Sequence, residues 1–154
     1  MVDVLARLRG TPLFAELDDD ALRRIAARCR TETVAADTVL FHEGDAGDRL
    51  YLIAEGAVRI SRQIPGSGEE ALTVLRPGQV FGEMAVFDRT ERSTDAIAQE
   101  ACVLLTLQRD DLETLLRDDP ALARIVLWAF VRILSGRLRA TNESLRSFLA
   151  MSMF

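Results

Sequence analysis

The stretch Phe81-Gly82-Glu83-Met84-Ala85-Val86-Phe87 is followed, after a short polar turn, by Arg92-Ser93-Thr94. It sets a glycine, a carboxylate among apolar neighbours and an arginine close together in the chain. A short helical turn starting at Gly82 would aim its free backbone N–H groups at one spot, the arrangement by which helix termini hold anions. Arg92 can clamp a phosphate with two parallel donors. Glu83 is a poor phosphate ligand, because two anions repel, and a good acceptor for a sugar hydroxyl. Phosphate and hydroxylated sugar together point to a nucleotide. The competing reading of Arg92 is an ion pair with a neighbour such as Glu91.

Other chemistry finds less support. His42 is the only histidine and reads as an ordinary strand residue. Glu43, Asp45 and Asp48 cluster, but turn chemistry explains them better than a calcium loop. Ser93 has no base partner, and no paired carboxylates stand at helical spacing, so a non-enzymatic protein without metal or cofactor is expected. Cys29 and Cys102 lack metal spacing and read as a reduced pair. Asp95, three residues beyond Arg92, would weaken an anion site if it pointed inward; as a strand residue it is expected to face solvent. Trp128 is expected to pack against the body of the protein, with base stacking as the alternative.

The chain has 154 residues, 49% hydrophobic and 28% charged, which fits one globular domain. Net charge is −5, and it is uneven. Residues 1–119 carry 14 arginines against 23 acids, whereas residues 120–154 carry 5 arginines against Glu143 alone. An acidic body argues against direct DNA binding. The N-terminus MVDVLARLRG has no long apolar core, and no apolar run approaches roughly 18 residues. No signal peptide and no membrane span are expected, and a cytoplasmic location follows.

Residues 2–9 and the run from Asp18 through Cys29 show helical spacing, broken at Thr11-Pro12; Asp18 to Asp20 can cap the second helix. From Thr31 the period changes to two. Strands are read at Val34, Val39–Phe41, Leu50–Ile53, Val58 onward with Val58 and Ile60 alternating against Arg59 and Ser61, Ala71–Leu75, Thr94–Ala98 and Val103–Leu107. Turns lie at 35–37, 43–48, 55–56, 65–68 and 77–78. Short strands with frequent turn signals describe an antiparallel β-roll of jelly-roll type. Two helices follow, from Arg109 to about Leu116 and from about Ala121 to Leu149, the second with Pro120 at its first turn. The fold class is α+β: a helical segment (1–30), a β-roll (31–108) holding the phosphate element 81–94, and hinge, lid and dimer helices (109–154), forming one sensor domain.

The last helix carries two stripes. Leu122, Ile125, Ala129 and Ile133 suit packing on the body. Leu127, Val131, Leu134, Leu138, Thr141, Leu145 and Phe148 follow alternating spacings of four and three, a heptad seam fit for a second copy, with packing inside one chain as the alternative. Thr141 is its only polar member.

The strand pattern, Gly44-Asp45 with Gly56, and Phe81–Ala85 with Arg92-Ser93 resemble the cyclic nucleotide-binding domain. Catabolite activator proteins, the cyclic-AMP-dependent kinase regulatory subunits and nucleotide-gated channels share that domain, and the resemblance covers about residues 11–145. It implies a ligand element made of Phe81, Gly82, Glu83, Met84, Ala85, Arg92, Ser93 and Thr94. By resemblance, Glu83 meets the ribose 2′-hydroxyl, Arg92 the cyclic phosphate, Gly82 gives an amide, and Ser93 a hydroxyl and amide. The last helix is similar to the activator family's dimer helix, where the equivalents of Thr141 and Asn142 reach the base. The reading expected is a cyclic AMP sensor, with cyclic GMP left open, dimerising through the last helix and passing closure to an unidentified effector protein. Glu91 departs from the proline of many members. The chain ends at Phe154 without the activators' helix-turn-helix, so a regulator fragment or remnant, or a docking domain with a degenerate pocket, are the alternatives.

Overall fold

Two aspartates open the first two helices. Asp3 accepts the Ala6 N–H at the start of α1 (Val4–Arg9), and Asp18 accepts the Ala21 N–H at the start of α2 (Asp19–Ala26). The computed structural model describes residues 1–153. Strands β1 (Arg30–Val34), β2 (Val39–Phe41), β3 (Arg49–Glu55), β4 (Val58–Ile64), β5 (Gly68–Leu75) and β6 (Val80–Phe81) follow. Helix α3 (Glu83–Asp88) precedes β7 (Asp95–Ala98) and β8 (Cys102–Gln108), and α4 (Arg109–Asp118) and α5 (Pro120–Ser152) come last.

The strands form two antiparallel four-stranded sheets, ordered β1-β8-β3-β6 and β2-β7-β4-β5. This is the expected roll with helices at either end of the chain. The two-residue β6 was not foreseen, because so short a strand shows no period.

β3 and β8 explain why LYLIA and CVLLTL read as unbroken apolar runs. Leu50, Leu52 and Ala54, with Leu105 and Leu107, face a cluster that includes Leu8, Phe14, Leu22 and Ile25 from the N-terminal segment and Leu112 and Leu115 of α4. Tyr51, Ile53, Cys102 and Leu104 point the other way, into a second cluster between the sheets with Phe41, Val58, Phe81, Ala96 and Ala98. Both faces of these strands are therefore covered. Each fully buried leucine or isoleucine contributes about 1.5–3 kcal/mol to the driving force for folding.

α5 docks through Leu122, Val126, Ala129 and Phe130, with Ile125 and Ile133 partly buried beside them. Phe130 stacks on Phe87 of α3, ring centroids 4.0 Å apart. Trp128 does not pack on the body and is 59% exposed. It lies two positions after the buried Val126, hence about 200° round the helix.

Asp95 also departs from expectation: it is 4% exposed. The chain folds back so that the Glu43 N–H donates to Asp95 Oδ1 at 2.7 Å, with His42 Nδ1 at 3.8 Å. Its cross-strand partner Ser61 is buried with it. The carboxylate thus pins the turn after β2. That is a contact over fifty residues of sequence, which local periodicity cannot report.

Candidate functional site

The turn from β6 into α3 depends on Gly82, the N-cap of α3, at φ 76° in the left-handed region. A Cβ there would lie 2.6 Å from Nη1 of Arg92, so glycine is what lets the guanidinium approach. At α3 itself, a Cβ on Gly47 would fall 2.1 Å from the Ala85 methyl. The 43–48 turn can therefore press directly on α3.

That turn is also hydrogen-bonded to the Arg92 segment. The Gly44 N–H donates to Arg92 O at 2.9 Å and the Arg92 N–H to Asp45 O at 2.8 Å, beside a β-bridge between Ala46 and Glu91. With its backbone fixed, Arg92 reaches into the roll. Nη1 donates to Gly82 O and Nη2 to Arg49 O, both at 2.8 Å. The guanidinium carbon sits 4.3 Å from the centre of the Phe41 ring. Burial, at 4% exposure, pushes the guanidinium below the usual arginine range, while Tyr51 and Asp48 act in the opposite sense. The group stays cationic, as arginine does in proteins. Its partners are backbone carbonyls, and Glu91 is not among them; the nearest carboxylate paired with it, Asp48, stands at 4.0 Å.

Glu83, in the first turn of α3, is 2% exposed. Its carboxylate accepts a hydrogen bond from Arg137 Nη1 of α5, and Nη2 of the same arginine donates to Val80 O at 3.1 Å. The pair joins α5 to the roll beside the motif.

These groups open onto a cavity of about 880 Å³, within the size range of small-ligand sites. Phe81, Gly82, Glu83, Met84, Ala85, Arg92, Ser93, Thr94 and Thr141 all line it. Asn142 does not; it is exposed on α5. The Thr141 hydroxyl donates to Arg137 O at 3.0 Å. Sequence reasoning missed Arg137 and the wall made by Ile60, Leu72, Thr73 and Leu75. Arg137 had a signal, since it stands one helical turn before Thr141 on the same face. The β-strand wall had none, because a residue that lines a cavity keeps the same strand period as one that fills a core. Among the described residues no group of three or more His, Cys, Asp or Glu could hold a metal ion, and no helix is long and apolar enough to cross a membrane.

Residues 31–119 match the family described as "Cyclic nucleotide-binding domain". The chain is 35% identical over 138 residues to the "Cyclic AMP receptor protein" of Thermus thermophilus, covering 90% of this chain and 62% of that protein. It is 31% identical over 145 residues to the "CRP-like cAMP-activated global transcriptional regulator" of Mycobacterium tuberculosis, covering 94% of this chain and 62% of that one. The chain thus spans about 62% of the length of these curated relatives. Among solved structures, the N-terminal domain of a transcriptional regulator from Streptomyces coelicolor superposes with a TM-score of 0.76 at 39% identity, covering 90% of this chain and 94% of that one. The sequence motif, the two-sheet roll and these matches agree, and the chain belongs to the cyclic nucleotide-binding domain family, of the catabolite activator type.

Proposed function

We propose that the chain is a non-enzymatic sensor that binds a cyclic mononucleotide, cyclic AMP in the first instance with cyclic GMP as the alternative. The observation that carries this is the pairing of two buried groups of opposite charge on either side of the Gly82 turn, both lining one cavity: Arg92 and Glu83. Arg92 takes the phosphate, helped by Ser93 and the amides opening α3. Glu83 takes the ribose hydroxyl while sharing its charge with Arg137. Thr141 reads the base. The names of the two curated relatives both refer to cyclic AMP, which favours that ligand.

The ligand would touch both the roll and α5, so its affinity can favour the state in which the helix is drawn onto the cavity. The seam on α5 is exposed at Leu127, Val131, Leu138, Leu145 and Phe148, and a second copy of the chain covers it in this proposal. In a parallel two-stranded heptad, Arg137 takes a position facing the residue five further on in the other helix. That brings Asn142 of the partner subunit toward the cavity, which accounts for an Asn142 that lies outside its own. The output is then a change in the dimer, passed to an effector protein. An activator-type transcription regulator, of which the chain supplies the sensor, is the form of output that the relatives' names favour.

Isothermal titration of the folded protein with cyclic AMP and cyclic GMP tests the reading. Saturable heat with one of them is expected. No heat with either at millimolar ligand leaves a docking domain with a degenerate pocket in its place.

A further inference from the structure

Arg92 is held in an unusual way for a buried charge. Both terminal nitrogens are bound by backbone carbonyls, of Gly82 and Arg49, each at 2.8 Å. Its guanidinium carbon lies over the Phe41 ring, 4.3 Å from the centroid. Nε is buried and has no hydrogen-bond partner among the described residues. Asp48, at 4.0 Å, is beyond hydrogen-bond reach, and its side chain is more than half exposed. Carbonyl oxygens and a ring quadrupole both attract a cation, and both are neutral as groups. A carboxylate in the same place would fix the guanidinium equally well and cancel its field at the cavity.

We infer that Phe41 is a positioning residue for the anionic part of the ligand: its ring holds the Arg92 guanidinium in place without bringing a negative charge of its own. The inference rests on the cyclic nucleotide reading of the cavity. The ring is itself braced. It packs tilted against Tyr51 at 5.8 Å and Phe81 at 6.2 Å, and those two rings stack on each other at 4.8 Å. Phe41 also ends β2, directly before the turn that bonds to the Arg92 backbone. One strand end therefore fixes the arginine from both sides, by main chain and by ring.

The test replaces Phe41 with mono-, di- and trifluorophenylalanine. Each fluorine draws charge from the ring face and barely changes its size. Cyclic AMP affinity, read by calorimetry, is expected to fall stepwise to a total of about tenfold. Phe41→Leu should sit near the bottom of the series and Phe41→Tyr near wild type. Urea midpoints for every variant separate weak binding from unfolded protein. A flat affinity across the fluorinated series, in a wild type that binds, overturns the inference alone and reduces Phe41 to packing. A folded wild type that binds neither cyclic nucleotide overturns the functional reading and this inference with it.

Discussion

Two arginines reach the same cavity and are held by opposite means. Arg92 belongs to the roll, is buried, and is fixed by carbonyls and an aromatic face. Arg137 belongs to α5, keeps 43% of its side chain exposed, and is neutralised by Glu83. The first is a cation left with its charge on a rigid support. The second spends its charge joining a helix to a sheet. The difference suggests a division of labour in which one corner supplies affinity and the other couples occupancy to the helix. The largest expected effect tests the first corner. Arg92→Ala should weaken cyclic nucleotide binding by about 2–5 kcal/mol, since a buried charge-assisted contact is removed. Less than a tenfold loss by calorimetry would put the phosphate elsewhere.

The second corner makes an asymmetric prediction about stability. Arg137→Ala leaves Glu83, 2% exposed, without its hydrogen-bonded cation. A carboxylate stranded in that way costs about 1–3 kcal/mol, at the lower end here because the partner side is open to water. Glu83→Gln instead leaves Arg137 free to turn into solvent and should cost less. Urea unfolding of both variants gives the order; equal losses would mean that loss of Arg137 does not strand Glu83. For binding the order reverses. Glu83→Gln exchanges the charged acceptor for a sugar hydroxyl for a neutral amide oxygen and should weaken the ligand by about 1 kcal/mol, while Arg137→Ala keeps the carboxylate and should change affinity less.

The two corners also differ in how far the sequence revealed them. Gly82, Glu83 and Arg92 are close in the chain, and their chemistry follows from residue type and spacing. Arg137 is 54 residues from Glu83, and nothing local marks it as its partner. The strands were legible because turns punctuate them, and the Leu122–Phe130 face because a helix repeats its period. Asp95 and Trp128 were misplaced for different reasons. Asp95 was read as a solvent-facing strand residue, whereas the His42–Glu43 turn folds over it. Trp128 was placed against the body although the helix period turns it away from the buried Val126 face, and it is exposed. Gly47 was read as a turn residue. Its real constraint, the approach to Ala85, appears only once α3 has docked.

Thr141 carries the smallest expected effect and the sharpest division between the corners. Its hydroxyl already donates to Arg137 O, a bond within its own helix that satisfies the donor without ligand. Thr141→Ala therefore leaves no buried group unpaired, and alanine is the better helix former. Stability should stay level or rise by a few tenths of a kcal/mol. Binding should still weaken by about 0.5–1 kcal/mol if the hydroxyl turns from the helix to the base. The ratio of cyclic AMP to cyclic GMP affinity should shift as well, because the two bases present different groups at the same edge. An unchanged ratio with unchanged affinity would mean that the α5 corner senses only the sugar, through Glu83 and Arg137. Weaker binding at unchanged stability would instead mean that α5 reads the base itself.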